Sequence, residues 1–293
     1  MNQTTTVAFL GTGIMGAPMA RNCAAAGLDV RAWNRTAEKA RALADAGVTP
    51  VDAPAEAVRG AHAVVTMLTD GAAVEAVMAG DGGALAAMDA DAVWVQMSTV
   101  GIAATEGLAG LAREREVDYV DAPVVGTRQP AEAGELLVLA SGPEEVRDRA
   151  AQVFDAVGRT TRWVGGEPGR ASRLKLVFNG WLVSLIESLS ETLAFSRAMG
   201  IPPEEFLEAI DGSPMNVPYA QLKGKAMARM DFAEVAFPLR LAHKDARLVL
   251  EAADAEGLEL PLMRTAEAQF ARAESGGHGD EDLAAVHYAV AAS

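Results

Sequence analysis

Short apolar, β-branched runs recur along the first ~165 residues, at Val7–Leu10, Val30–Trp33, Ala63–Leu68, Ala92–Gln96, Val117–Val120 and Leu136–Ala140. Alanine-rich stretches with helical spacing lie between several of them, as at Ala37–Ala46 and Ile102–Arg115. Strands alternating with helices predict a mostly parallel sheet covered on both faces. The later strands, between about Val117 and Val164, have shorter connections, which predicts partly antiparallel pairing there.

The texture changes at Gly165-Gly166-Glu167-Pro168-Gly169. Beyond it strand signals almost vanish. A long apolar segment runs from about Ala171 to Met199, followed by helical stretches after Pro203, at Leu239–Glu256 and at Leu262–Ser275. Breaks containing Gly or Pro at Gly200–Pro203 and Asp211–Pro218 punctuate the second half. The pattern therefore predicts an α/β domain over 1–165 and an all-helical domain over 166–293.

Composition narrows the class. At 293 residues the chain is long enough to bury a core without covalent staples. Its single cysteine, Cys23, excludes a disulfide scaffold and any multi-thiolate metal site, and helical periodicity makes it core filler. The four histidines, His62, His243, His278 and His287, show no metal spacing. A formal charge of −15 argues against binding a nucleic-acid backbone. No apolar run reaches the ~20 residues that span a bilayer, and Met1–Thr6 lacks the basic region of a signal peptide. The expectation is a soluble, cytoplasmic protein. Gly279-Asp280-Glu281-Asp282 reads as a helix start whose carboxylates suit the dipole.

Gly11-Thr12-Gly13-Ile14-Met15-Gly16 follows the first strand and opens a helical pattern. In that context glycines allow close backbone approach to a pyrophosphate, and the helix N-terminus favours the anion. A glycine-rich turn without ligand is the plainer alternative. The second strand ends at Trp33-Asn34-Arg35-Thr36, where an NAD site usually carries an acidic residue for the ribose 2′-OH. An amide, a guanidinium and a hydroxyl suit a 2′-phosphate better, so NADP is expected over NAD; Arg35 as an ordinary solvated loop residue is the alternative. Thr66-Met67-Leu68-Thr69-Asp70 and Gln96-Met97-Ser98-Thr99 also pass from apolar runs into polar residues. They read either as strand ends facing the cofactor or as helix caps supplied by Ser98, Thr99 or Asp70.

Only five of the 25 basic residues are lysines, and one of them, Lys175, stands in a segment apolar on nearly every side. A helix hydrophobic all round is normally buried. Asn179, four residues on, shares the lysine's face. A buried ammonium needs a partner or a function, unless it snorkels to water from the first turn.

Several separated motifs resemble the β-hydroxyacid dehydrogenases, the family of 3-hydroxyisobutyrate dehydrogenase, with the nearest likeness to glyoxylate/succinic semialdehyde reductases. They are Phe9–Gly16, Trp33–Thr36, Met97–Val100, Ala122–Thr127 with Pro130–Glu132, Lys175 through Asn179, and Phe237–Leu239 with Lys244-Asp245. The resemblance implies a Rossmann domain joined by a long inter-domain helix to an all-helical domain used in dimerisation, and hence a homodimer or homotetramer. It implies Lys175 as the catalytic lysine and Asn179 as its companion. A small-molecule substrate would be held at Pro123, Val125, Gly126 and Thr127, with Phe237 and Asp245 closing the pocket. Gly11, Thr12, Gly13, Ile14, Met15, Asn34, Arg35, Thr36, Met67, Leu68, Thr99 and Lys244 would meet the cofactor.

One departure matters: Val125 stands where the family's loop usually carries a serine that helps hold the substrate carboxylate. The implied activity is NADPH-dependent reduction of small aldehyde-acids, or oxidation of the matching β-hydroxyacids. Reduction of a cyclic imine or a bulkier apolar carbonyl is the alternative that Val125 suits. A non-catalytic NADP-binding sensor is a third reading, disfavoured by a lysine on an apolar helix.

Overall fold

A computed structural model of the chain describes residues 5–291, so most of the Met1–Thr6 stretch lies outside the described residues. The chain divides into two compact units between Lys175 and Leu176.

The first unit is built on strands β1 (Thr6–Leu10), β2 (Asp29–Trp33), β3 (Val48–Pro50), β4 (Ala63–Thr66), β5 (Val93–Gln96), β6 (Asp118–Asp121), β7 (Val124–Val125), β8 (Leu136–Ser141) and β9 (Gly158–Gly165). They form one sheet in the order β3-β2-β1-β4-β5-β6-β8-β7, with β9 paired to β8. From β3 to β6 every pairing is parallel. This is the open, doubly wound arrangement in which ligands gather outside the carboxyl ends of the strands, where the order reverses beside β1.

The central strands β1, β4 and β5 are buried at every residue, as expected of strands covered on both faces. Val7 and Phe9 pack on one side with Met19 and Cys23; Ala8 and Leu10 pack on the other with Trp94 and Tyr119. The Trp94 and Tyr119 rings meet edge to face, 5.0 Å apart.

Three strands lie outside the six runs read from the sequence: β9, which is half-exposed along its length, and two very short ones. β3 is three residues long and ends in Pro50, which only a sheet edge tolerates. β7 is two residues long and pairs antiparallel with β8. The expected antiparallel pairing in this region holds for β6 and β7 against β8, whereas β8 and β9 are parallel.

A single helix, Arg170–Ala198, spans the division and continues into the second unit. There the helices Pro203–Ile210, Pro218–Arg229, Leu239–Ala255 and Pro261–Ala273 follow. The break read at Asp211–Pro218 falls between two of these helices, and Pro218 itself opens Pro218–Arg229, a helix the sequence pattern does not predict. Proline suits the first helical position because it lacks only a hydrogen bond that position would not make.

The apolar segment from Ala171 to Met199 is not buried all round. Val177 is 68% exposed, Trp181 65% and Phe195 65%, while Lys175, Leu176, Asn179, Val183, Ile186 and Ser190 line the covered face. The helix thus has an ordinary buried stripe and, on its outer face, exposed apolar side chains toward both ends with Ser184, Ser188 and Thr192 between them. The acidic run near the C-terminus is also more than a solvated helix start. Asp282 is 2% exposed, caps the short turn Leu283–Val286, and takes both bonds of the Lys223 ammonium at 2.8 Å.

Glu187, on the covered face of the long helix, is 2% exposed, and neither carboxyl oxygen has a hydrogen-bond partner among the described residues. Burial, reinforced by Glu191 and opposed by Arg272, pushes its pKa up to about 8. The folded state therefore holds a proton that the unfolded chain releases near pH ~4.3, and wild-type stability falls as pH rises toward 8. Glu187→Gln removes this linkage. Urea unfolding should give the variant and the wild type similar stability near pH 5. The variant should gain by a few kcal/mol (roughly 1.4 per pH unit of the window) above pH 8.

Candidate active site

β1 runs out at Leu10 into Gly11, whose φ of +109° is open to glycine alone at little cost. A Cβ at Gly11 would lie 2.3 Å from the Met67 carbonyl oxygen, and one at Gly16 would lie 2.0 Å from the Gly11 carbonyl oxygen. These two glycines let the chain turn sharply and press the helix Gly16–Ala25 onto the strand end. Gly13 differs: a Cβ there would meet nothing within 4 Å. The loop is bare where a ligand would approach.

The helix that follows has no acidic residue in its first turn and no side-chain cap. Its leading N–H groups are therefore not neutralised by the chain's own carboxylates. Thr12 Oγ1 is buried without a hydrogen-bond partner among the described residues, a deficit of ~1–3 kcal/mol that a bound oxygen-rich group would relieve. Loop, helix end and orphaned hydroxyl all fit a dinucleotide pyrophosphate. Ile14 is 40% exposed at the rim of the same loop, followed by Met15 at the helix N-cap.

The end of β2 is tied to this loop. Gly11 N–H donates to the Trp33 carbonyl at 2.9 Å, and Thr12 N–H donates to Asn34 Oδ1 at 3.0 Å. Asn34 Nδ2 in turn donates to the Thr36 carbonyl at 3.0 Å. The Asn34 amide is thus engaged in shaping the loop, which leaves Arg35 and Thr36 as the exposed groups at this strand end. No hydrogen bond or ion pair engages the Arg35 guanidinium among the described residues.

At the ends of β4 and β5, Ser98 Oγ accepts from Leu68 N–H at 2.9 Å and donates to the Thr66 carbonyl at 3.2 Å. Ser98 is itself gripped by the Gln96 side chain through both its N–H and its carbonyl. Asp70 caps the helix Gly71–Ala79, accepting from Ala73 N–H at 2.8 Å. Of the three capping residues expected, only Asp70 caps a helix. Ser98 fixes the Met67-Leu68 segment, and the helix after Thr99, Ile102–Glu114, has Gly101 at its N-cap and no side-chain cap.

β6 ends in Asp121, a buried carboxylate that sequence reasoning passed over. Its oxygens accept from Gly169 N–H at 2.9 Å, Ser172 N–H at 2.9 Å, Ser172 Oγ at 2.7 Å and Ser141 Oγ at 3.3 Å. Burial pushes its pKa up, and those hydrogen bonds pull against that shift. The chain then runs through buried Pro123 to Val125, paired with Leu137 in β8, and to Gly126 at φ +137°. A Cβ at Gly126 would lie 2.7 Å from Leu136 Cδ2. Thr127 leads into the short helix Arg128–Glu132.

Lys175, five residues past the start of the long helix, is 9% exposed. Asn179 lies one turn further and is 2% exposed; its Nδ2 donates to Asp245 Oδ2 at 2.9 Å. The other Asp245 oxygen is 2.9 Å from the Lys244 ammonium. The structure therefore brings Asn179, Asp245 and Lys244 together, a grouping invisible in their sequence separation. Phe237 is held by its backbone, donating N–H to Asp282 Oδ2 at 3.3 Å and accepting from Leu283 N–H at 2.8 Å. Among the described residues no His, Cys, Asp and Glu cluster is arranged to hold a metal ion, and no helix is long and apolar enough to cross a membrane.

Comparison with known proteins agrees with this layout. Residues 6–165 match the NAD binding domain of 6-phosphogluconate dehydrogenase, and residues 169–290 match the domain described as NAD-binding of NADP-dependent 3-hydroxyisobutyrate dehydrogenase. Glyoxylate/succinic semialdehyde reductase 2 of Arabidopsis thaliana is 32% identical over 99% of this chain and 80% of its own length. 3-Sulfolactaldehyde reductase of Escherichia coli is 30% identical over 96% of this chain and 94% of its own. Among solved structures, 3-hydroxyisobutyrate dehydrogenase from Salmonella typhimurium superposes with a TM-score of 0.88 at 26% identity, covering 97% of this chain and 99% of that one. With family models matching residues 6–165 and 169–290 and relatives matching nearly the whole chain, the chain belongs to the β-hydroxyacid dehydrogenase family and is an NAD(P)-dependent oxidoreductase acting on CH–OH and carbonyl groups.

Proposed function

We propose that the protein is an NADPH-dependent reductase of small aldehyde-acids of the glyoxylate and succinic semialdehyde type, running reversibly on the matching β-hydroxyacids, with Lys175 as proton donor. The observation that carries this reading is a lysine 9% exposed on an apolar helix, one turn from an asparagine anchored to Asp245.

The Gly11–Gly16 loop would hold a nicotinamide dinucleotide, which would supply the hydride that reduces the carbonyl carbon. Lys175 then serves the oxygen: its ammonium hydrogen-bonds the carbonyl, gives up a proton as negative charge develops there, and stabilises that charge before transfer. With Asn179 Nδ2 committed to Asp245, Asn179 Oδ1 is the atom left to orient the lysine. The side chain of Lys244 balances the Asp245 carboxylate beside it. Backbone N–H groups around Gly126, with Thr127, receive the substrate's acid group, and Phe237 keeps the substrate-binding role that the family resemblance gives it.

NADP is favoured over NAD by the exposed Arg35 and Thr36 and by the lack of an acidic side chain at residues 33–36. A homodimer or homotetramer is supported by the exposed apolar side chains of the long helix, Val177 and Trp181 one turn apart and Phe195 further along, which are costly to leave in water; a cytoplasmic location belongs to the same reading. One observation favours a second reading. Val125 offers no hydrogen bond where the family's usual serine would, which suits a cyclic imine or a bulkier apolar carbonyl.

Three measurements test these assignments. Arg35→Ala should raise KM for NADPH about tenfold or more and leave KM for NADH nearly unchanged, the loss expected of a charge-assisted bond worth ~1.5–3 kcal/mol. Equal penalties for the two cofactors would show that Arg35 does not read the 2′-phosphate. Val125→Ser should improve kcat/KM for succinic semialdehyde and worsen it for an apolar aldehyde by about fivefold or more, because the new hydroxyl is left unpaired beside an apolar ligand at ~1–3 kcal/mol. If both substrates respond alike, this position does not sort them.

Lys175→Ala should lower kcat by ~10²–10⁴-fold while NADPH affinity, read by fluorescence, stays within a few-fold. Lys175→Arg should restore little, since a guanidinium does not release a proton near neutral pH. Normal turnover in the alanine variant would remove Lys175 as the proton donor.

A further inference from the structure

We propose that Asp121 is the positioning residue for Lys175: its carboxylate clasps the first turn of the long helix to the strand end from which the substrate loop departs. The inference rests on Lys175 being the proton donor and adds how that donor is placed.

A helix begins with N–H groups that have no partner inside it. A local cap at the N-cap residue ordinarily satisfies one of them and fixes nothing beyond the helix itself. The helix Arg170–Ala198 is capped from a distance. Asp121 Oδ2 accepts both Gly169 N–H and Ser172 N–H, and its Oδ1 accepts the Ser172 hydroxyl. Ala171 N–H goes to Ser141 Oγ at 3.0 Å, and Ser141 lies opposite Asp121 in the β6–β8 pairing. Thr105 Oγ1 completes the set, 3.0 Å from Ser172 Oγ. The side chains of Asp121, Ser141, Ser172 and Thr105 are all buried.

These bonds fix the helix both along its axis and in rotation, since consecutive N–H groups are held by atoms of two neighbouring strands. Lys175 follows Ser172 by three residues, close to one turn and about 4.5 Å along the axis. Wherever the clasp sets Ser172, it sets the root of the lysine side chain. Asp121 is also four residues before Val125, with Ala122, Pro123 and Val124 buried between them. One carboxylate thus references the proton donor and the substrate loop to the same strand end. Misplacement by about 1 Å is enough to cost ~10²-fold in rate, so this group should matter to turnover without touching substrate.

The two halves of the clasp can be separated experimentally. Asp121→Asn keeps the shape but turns an N–H₂ toward donors, and should lower kcat by about 10–100-fold with NADPH affinity by fluorescence within threefold. Hydrogen exchange at the Ala171 and Ser172 amides should quicken. Ser172→Ala, which keeps the backbone bond and loses only the hydroxyl, should lower kcat by less and serves if the Asp121 variant folds poorly. In a double-mutant cycle, the residual rate of Lys175→Ala should be unchanged when Asp121→Asn is added, because the clasp acts through the lysine. Three results would overturn the proposal. One is a folded Asp121→Asn variant with wild-type turnover. Another is an equal loss from Asp121→Asn in the wild-type and Lys175→Ala backgrounds. The third is full turnover in Lys175→Ala itself, which removes the donor first and so marks the failure of the functional reading rather than of the clasp alone.

Discussion

The Asp121 carboxylate is the constraint around which the first unit is arranged. A charge taken out of water is costly unless nearly every lone pair is used, and Asp121 accepts from two backbone amides and two serine hydroxyls. Removing any one donor leaves the rest of the anion short of solvation, so the strand end, the neighbouring strand and the helix start stand or fall together. Such a group also resists drift: the bonds are directional and the space around them is closed.

The same physics is used in opposite ways at two helix starts of the first unit. At Gly16–Ala25 no acidic side chain sits in the first turn, the loop before it is bare at Gly13, and Thr12 Oγ1 lacks a partner among the described residues. That end is left for an anion from outside. At Arg170–Ala198 the equivalent place is filled from within by Asp121. One helix start is open to a ligand; the other, in the proposed reading, locates a lysine.

The helical unit repeats the theme with paired polar groups inside an apolar packing. Asn179 leans on Asp245, which is balanced by Lys244. Lys223 and Asp282 form a buried ion pair whose carboxylate also takes the N–H groups of Ala236 and Phe237. The first pair ties one helix to another, the second ties a stretch between helices to a helix face, and the loop before Leu239 is held by backbone and carboxylate rather than by bulk. Glu187 is the exception, a buried carboxyl that keeps its proton instead of finding a partner.

The sequence alone determined what periodicity and backbone chemistry can carry. Buried parallel strands read as continuous apolar runs, the glycine loop declared its turn, and a lone lysine in an apolar helix stood out against an arginine-rich chain. It could not show β3 or β7, because two or three residues carry no period, nor the helix at Pro218, because proline marks a start as readily as a stop. Tertiary structure decided which face of the long helix is covered, since exposed apolar side chains and buried ones look the same in the sequence. It also chose the partners. Asn34 turned inward to Thr12, Ser98 to the Thr66–Leu68 segment rather than to a helix cap, and Asp121 to a helix start 48 residues away. Hydrogen bonds between residues so far apart depend on where the sheet order brings the strand ends, and no local pattern in the sequence encodes that.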